Sequence, residues 1–158
     1  MRYFLLDKVI DFVPGVRARG LKNVTLSDDV LMDHFPDFPV MPGALVIEAA
    51  AQLGGFLIEM SAEADPNPPR RALLAQIRRA KFYQPAQPGD QIELDVKLTA
   101  TLDGAAELEC EATVGGARSL EATLTFMLRT VDSERVHEQR RRLYRVWTRD
   151  LEPKPVIR

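Results

Sequence analysis

Between Ile92 and Leu128 the sequence alternates apolar and polar residues in three successive runs, and the runs are joined by tight-turn pairs. Ile92, Leu94, Val96, Leu98, Ala100 and Leu102 share one parity, and Asp103-Gly104 follows. Ala106, Leu108, Cys110, Ala112 and Val114 repeat the pattern before Gly115-Gly116. Leu120, Ala122, Leu124, Phe126 and Leu128 form the third run. A period of two marks a strand with one buried face, and these turn pairs favour hairpins. The chain is therefore committed to an antiparallel meander, one face of which needs an apolar cover. Cys110 has the inward parity and reads as a small core residue rather than a reactive thiol.

The cover is predicted from Ala44 to about Met60, a helix rich in Ala, Leu, Ile and Glu that begins just after Pro42-Gly43. It is apolar nearly all round, which implies burial. Further strands are predicted over Phe4–Val13, Val16–Leu26 and Ala72–Tyr83. Residues 61–71 read as a polar, Pro-rich loop. One apolar helix among many antiparallel strands is an α+β pattern. The 158 residues suit a single domain, predicted over residues 1–131, with a basic, helical extension over 132–158.

The single cysteine rules out an intrachain disulfide and fits a reducing compartment. The net charge of −2 gives no general reason to expect nucleic-acid binding. Charge returns within the first eight residues, unlike a signal peptide. The apolar runs fall short of the roughly 20 residues of a membrane span. A soluble, cytoplasmic protein is the expectation.

Glu48 lies within the apolar helix, with Gln52, Gly55 and Glu59 continuing its stripe. That stripe is either a narrow solvent-facing edge or a partly buried carboxyl able to hold and donate a proton. A stiff loop, Asp33-His34-Phe35-Pro36-Asp37-Phe38-Pro39-Val40-Met41-Pro42-Gly43, leads into the helix and carries one of only two histidines. A loop histidine is commonly structural or solvated. Here a rigid frame delivers it next to a helix with its own carboxyl, and imidazole is suited to moving protons near neutrality. Gly43 marks the helix start, where unpaired N–H groups stabilise an oxygen gathering negative charge. Equally, it could only relieve crowding in a turn.

The run His34-Phe35-Pro36-x-x-Pro39-x-x-Pro42-Gly43, followed by Ile47-Glu48-Ala49 and Ala51-Gln52, resembles the signature of bacterial 3-hydroxyacyl-[acyl-carrier-protein] dehydratases. Ala80-Lys81-Phe82, Pro85 and Pro88-Gly89-Asp90 are similar to a second block of that family, and the likeness spans roughly residues 5–130. Glu48 stands where the branch that also isomerises the double bond carries Asp, which places the chain nearer the FabZ type than the FabA type. The resemblance implies a hot-dog fold, an antiparallel sheet wrapped around one long central helix. It implies a homodimer with shared active sites, His34 from one chain and Glu48 from the other, and in many members a trimer of dimers. It also implies a substrate carried on the phosphopantetheine arm of acyl carrier protein, with no metal or organic cofactor.

In the implied mechanism His34 removes a proton from C2, with its ring oriented by the Val40 carbonyl. The Gly43 N–H polarises the thioester carbonyl. Glu48 protonates the departing C3 hydroxyl, which Gln52 helps to position, and the product is a trans-2-enoyl thioester. Two positions depart from the family pattern: Asp33 and Asp37 stand where glycine is usual. If they pointed inward they would favour protonated His34 and weaken it as a base.

Residues 134–149 read as a helix whose apolar face holds Val136, Leu143, Tyr144 and Trp147, with arginines largely outside it. It could pack on its own domain or dock the acidic carrier, through residues such as Arg141 and Arg145. Arg78, Arg79 and Lys81 form the alternative docking cluster. His137 is expected to take no catalytic part. Two other functions compete with dehydration: a hot-dog acyl thioesterase, and a non-catalytic hot-dog subunit that binds acyl carriers.

Overall fold

A computed structural model describes residues 3–62 and 69–157. The meander predicted from the alternation is present as β4 (Gln91–Leu102), β5 (Ala105–Val114) and β6 (Ala117–Thr130), paired antiparallel. The β5–β6 turn rests on Gly115 and Gly116, both at positive φ (58° and 82°), the requirement of a primed hairpin turn. Upstream come β1 (Lys8–Val13), β2 (Arg17–Asn23) and β3 (Arg70–Phe82), the first two shorter than their apolar patterns suggest. All six join one sheet in the order β1-β2-β4-β5-β6-β3.

The parity argument holds along most of the meander. Ile92, Leu94 and Val96 of β4, Leu108 and Cys110 of β5, and Leu120, Leu124 and Phe126 of β6 are all buried. It fails at the end of β4, where the register with β5 shifts between Leu98 and Ala100. A bulge of this kind turns side chains away from their expected face, and Leu102 is accordingly 73% exposed.

The helix α1 (Gly43–Ser61) lies in the curve of the sheet and packs against β2 to β6. It is long and apolar enough to span a membrane by length and composition, which the reading of the apolar runs did not anticipate, but it forms the buried core. Gly54 permits the close approach to the sheet: a Cβ there would lie 2.9 Å from Leu108 Cδ1 and 3.3 Å from the Phe126 ring. The stretch expected as a loop over 61–71 gives Ser61 to α1 and Arg70 and Arg71 to β3. Residues 63–68 lie outside the described residues.

The extension forms α2 (Glu134–Trp147), which packs at the C-terminal end of α1 and beside β1. Its buried side chains are His137, Tyr144 and Trp147, so the packed face is partly polar. Phe12 of β1, Phe56 of α1 and Tyr144 of α2 form a chain of edge-on rings with centroids 5.1 Å apart at each step, a favoured aromatic geometry.

The sheet edges differ. The β1 edge has α2 and the following tail beside it, where Lys8 Nζ lies 2.6 Å from Asp150 Oδ2. Among the described residues the β3 edge has no strand beyond it, and Leu73, Leu74, Ile77 and Phe82 are exposed along it.

Candidate active site

The loop before α1 folds back on itself. Phe35 and Phe38 exchange main-chain N–H···O bonds of 3.0 Å, and Val40 N–H donates to the His34 carbonyl at 2.8 Å. Asp37 sits at the tip with φ of 62°. Only glycine adopts that conformation freely, and Asp is among the few tolerated substitutes. The departure from glycine at this position is thus accommodated by the backbone. Asp33 and Asp37 are both exposed.

His34 is half-buried and its Nδ1 lies 2.8 Å from the Val40 carbonyl oxygen. A carbonyl only accepts, so Nδ1 carries a hydrogen, and in the neutral ring Nε2 is the nitrogen that keeps the lone pair. The Phe35 ring stacks on the imidazole at 4.3 Å, and the peptide bond between them is cis. These contacts fix the ring's orientation, and in its neutral form Nε2 is the proton acceptor.

Gly43 is the first residue of α1 and lies at the dipole-positive end of the helix. The Phe82 ring lies directly over it: a Cβ at Gly43 would be 2.5 Å from Phe82 Cε1. Both readings of Gly43 are compatible with this position, since crowding demands glycine and the helix terminus presents an N–H.

Glu48 stands one turn further on, half-buried, and accepts a 3.0 Å hydrogen bond at Oε1 from Gln52 Nε2. Gln52 is itself bound to the N-terminal segment. Its Nε2 donates to the Tyr3 carbonyl at 2.7 Å, and its Oε1 accepts from Leu5 N–H at 2.9 Å and Leu6 N–H at 3.4 Å. Both amide hydrogens of Gln52 are therefore engaged by protein groups. Among the described residues no hydrogen bond joins His34 to Glu48.

The stripe ends differently from either sequence reading. Glu59 is neither solvated nor near His34: its side chain is 3% exposed and pairs with Arg71 from β3. A carboxylate in an all-apolar helix needs a cation from another element, and Arg71 is the only basic residue of the adjoining strand start whose side chain turns inward. The sequence signal was the stripe itself; its partner lay in a segment read as loop.

The two basic clusters occupy opposite ends. Ala72 N–H donates to Glu59 Oε1 at 3.0 Å, while Phe82 covers Gly43, so β3 runs back along α1. Arg78, Arg79 and Lys81 therefore flank the Gly43 end. Arg78 pairs with Glu107, and Lys81 Nζ sits 4.8 Å from the Tyr83 ring centroid. Arg141, paired with Glu134, and exposed Arg145 belong to α2, at the Glu59 end.

The sequence comparisons agree with this arrangement. A family model described as a FabA-like domain matches residues 1–123. A curated 3-hydroxyacyl-[acyl-carrier-protein] dehydratase FabZ of Bacillus cereus is 39% identical over 126 residues, covering 80% of this chain and 85% of that protein. The FabZ of Clostridium acetobutylicum is 38% identical over 124 residues, covering 78% and 86%. Among solved structures, a hot-dog-like protein from Thermanaerovibrio acidaminovorans superposes with a TM-score of 0.63 at 19% identity, over 89% of this chain and 94% of that one. The dehydratase heterocomplex ApeI:P from Xenorhabdus doucetiae gives 0.60 at 16% identity, over 80% and 99%, so the hot-dog fold is shared well beyond sequence similarity. On the extent of the family match and the identity of these relatives, the chain belongs to the FabA-like domain family.

Proposed function

We propose that this protein is a 3-hydroxyacyl-[acyl-carrier-protein] dehydratase, a hydro-lyase that removes water from a 3-hydroxyacyl thioester to give the trans-2-enoyl thioester. The observation that carries the reading is a family member whose His34 offers an unprotonated Nε2 while Glu48 stands half-buried on the adjoining helix. Relatives named FabZ dehydratases cover most of the chain.

In this reading His34 Nε2 takes the C2 proton and Glu48 gives a proton to the C3 hydroxyl. The C2–H and C3–O bonds break, the C2–C3 double bond forms, and water leaves. His34 ends protonated and Glu48 deprotonated, so His34 releases its proton and Glu48 regains one by exchange with solvent before the next turnover. The Gly43 N–H, at the helix terminus, stabilises enolate charge on the thioester oxygen. The Val40 carbonyl holds the base in its working tautomer.

The active unit in this reading is a homodimer in which His34 of one chain works with Glu48 of its partner. Supporting this is the β3 edge, which leaves backbone groups and Leu73, Leu74, Ile77 and Phe82 exposed, while the other edge has α2 beside it. A long apolar edge strand invites pairing with another chain.

The substrate enters on the phosphopantetheine arm of an acidic carrier, and docking falls to Arg78, Arg79 and Lys81 rather than to Arg141 and Arg145. The β3 residues lie within four positions of Phe82, about 13 Å along the strand at ~3.3 Å per residue, and the Phe82 ring covers Gly43. Glu59, to which Tyr144 of α2 is hydrogen-bonded, lies about 16 Å along the helix beyond Glu48.

Incubation with a carrier-linked (3R)-3-hydroxyacyl thioester tests the reading, with loss of water followed by mass. His34→Ala and Glu48→Gln should each lower kcat by roughly 10²–10⁴-fold with folding intact. Release of free thiol instead of enoyl product would point to a thioesterase. No turnover across several chain lengths would leave a carrier-binding subunit.

A further inference from the structure

The contacts of Gln52 reach beyond the helix that carries it. An amide side chain can be turned end for end, but here its main-chain partners decide the orientation. Leu5 N–H and Leu6 N–H only donate, so they face Oε1; the Tyr3 carbonyl only accepts, so it faces Nε2. With the amide fixed, the remaining Nε2 hydrogen points at Glu48 Oε1. When the carboxyl is protonated, an N–H donated to Oε1 favours the carbonyl oxygen there and leaves Oε2 to carry the transferable proton.

The segment that imposes this is itself held in place. Leu5 and Leu6 are buried, Asp7 N–H donates to the Leu21 carbonyl at 2.9 Å, and Asp7 Oδ2 accepts from Asn23 N–H at 2.6 Å. Three main-chain groups of the N-terminal segment thus fix Gln52, and Gln52 fixes the carboxyl. No other side chain among the described residues hydrogen-bonds to Glu48.

We propose that Tyr3–Leu6 is a positioning element of the active site, acting through Gln52 to present Glu48 Oε2 as the proton-donating oxygen. The inference rests on the dehydratase reading with Glu48 as the acid. Gln52 is a positioning residue: it orients the acid, and its own donors are already used within the protein.

The test is a double-mutant cycle on the full-length dehydratase assayed with carrier-linked 3-hydroxyacyl substrate. One variant is Gln52→Ala. The other is a truncated chain in which methionine directly precedes Leu5, removing the Tyr3 carbonyl. Each should lower kcat by about tenfold or more through misplacement of the acid, with KM unchanged. The combination should be no slower than Gln52→Ala alone, because the segment acts only through that residue. Thermal melting confirms that each variant is folded. If the truncated chain does not fold, Leu5→Pro, which deletes one donor to Oε1, replaces it in the cycle. Losses that multiply in the combination, or a truncation that leaves kcat intact, would overturn the proposal. An inactive wild type would instead remove the dehydratase reading on which it stands.

Discussion

Arg71 of β3 reaches α2 and donates twice to Nδ1 of His137, from Nε at 3.1 Å and from Nη2 at 2.7 Å. A guanidinium has no acceptor, so Nδ1 is unprotonated and the hydrogen sits on Nε2, 2.8 Å from the Val131 carbonyl. The same arginine gives Nη1 to Glu59 Oε2 at 3.0 Å, and Tyr144 O–H donates to that oxygen at 2.7 Å. One buried carboxylate on α1 thus receives hydrogen bonds from both β3 and α2. Arg71→Ala leaves Glu59 buried without its cation and should cost about 3–5 kcal/mol. Tyr144→Phe removes one donor and should cost about 1–3 kcal/mol. Urea unfolding measures both; an unchanged midpoint in Arg71→Ala would show that the network does not hold the fold.

A chain ending at Val131 should be far less stable than the full protein. It loses Tyr144 and Trp147, both almost fully buried, and uncovers Phe56 and Glu59. Removing a buried large aromatic side chain costs about 3–5 kcal/mol. At roughly 2–4 °C per kcal/mol for a protein of this size, the melting temperature should fall by more than about 10 °C. A truncated chain that melts with the full-length protein would make α2 a detachable appendage.

Much of this architecture was legible because the relevant signals are local. The alternation in β4 to β6, the Gly turns between them and the all-apolar helix each follow from side-chain period and turn chemistry. The positions of His34, Gly43 and Glu48 could be read because one stiff loop and one helix carry all three. What stayed hidden depends on long-range pairing. Arg71, the partner of Glu59, lies in a stretch read as loop, and nothing local tells that it faces inward. Gln52 gave no hint of its hold on Tyr3, Leu5 and Leu6, since main-chain partners leave no mark in side-chain pattern. The β4 bulge was invisible for a similar reason: alternation persists through Ala100 and Leu102 although the register changes.

Gly54 brings the middle of α1 close against the sheet. A methyl there meets Leu108 Cδ1 at 2.9 Å, and both Leu108 and Phe126 lie in the core. Helix propensity favours alanine over glycine by about 1 kcal/mol, but overpacking costs about 1–3 kcal/mol. Gly54→Ala should therefore be net destabilising, and Gly55→Ala, whose methyl meets only Ala72 Cβ at 4.0 Å, should be neutral or stabilising. Melting temperatures of the pair decide the point: equal values would mean that the sheet yields to the added methyl.

Cys110 links the core to alkaline stability. Burial pushes its thiol from an ordinary 9.0 up to about 12, and the charges of Asp95 and Glu109 act in the same direction. Above pH 9.0 the unfolded chain gives up this proton while the native chain keeps it. The native state then binds more protons, so stability is intact below that pH and falls as pH rises toward about 12. The slope from this group is at most about 1.4 kcal/mol per pH unit. The buried Tyr144 phenol, raised by desolvation and by Glu59, adds a loss of the same sign above its ordinary 10.0. Cys110→Ala should thus flatten the urea midpoint between those two values while leaving the later decline, and an unchanged slope would remove Cys110 as its cause.

Carrier docking separates the two basic clusters most cleanly. Arg79→Glu with Lys81→Glu alters the strand that flanks Gly43 and Phe82; Arg142→Glu with Arg145→Glu alters the exposed face of α2, at the Glu59 end. Charge complementarity acts mainly on encounter and is screened by salt. The β3 pair should raise KM for the carrier-linked substrate several-fold, and more so at low ionic strength, while a small thioester analogue turns over as before. The α2 pair should leave both substrates unaffected. Both β3 residues lie on the open sheet edge, so the oligomeric state is checked alongside by light scattering. If the α2 pair raises the carrier KM and the β3 pair does not, the arm enters from the Glu59 end, and the direction assigned to the substrate along α1 must be reversed.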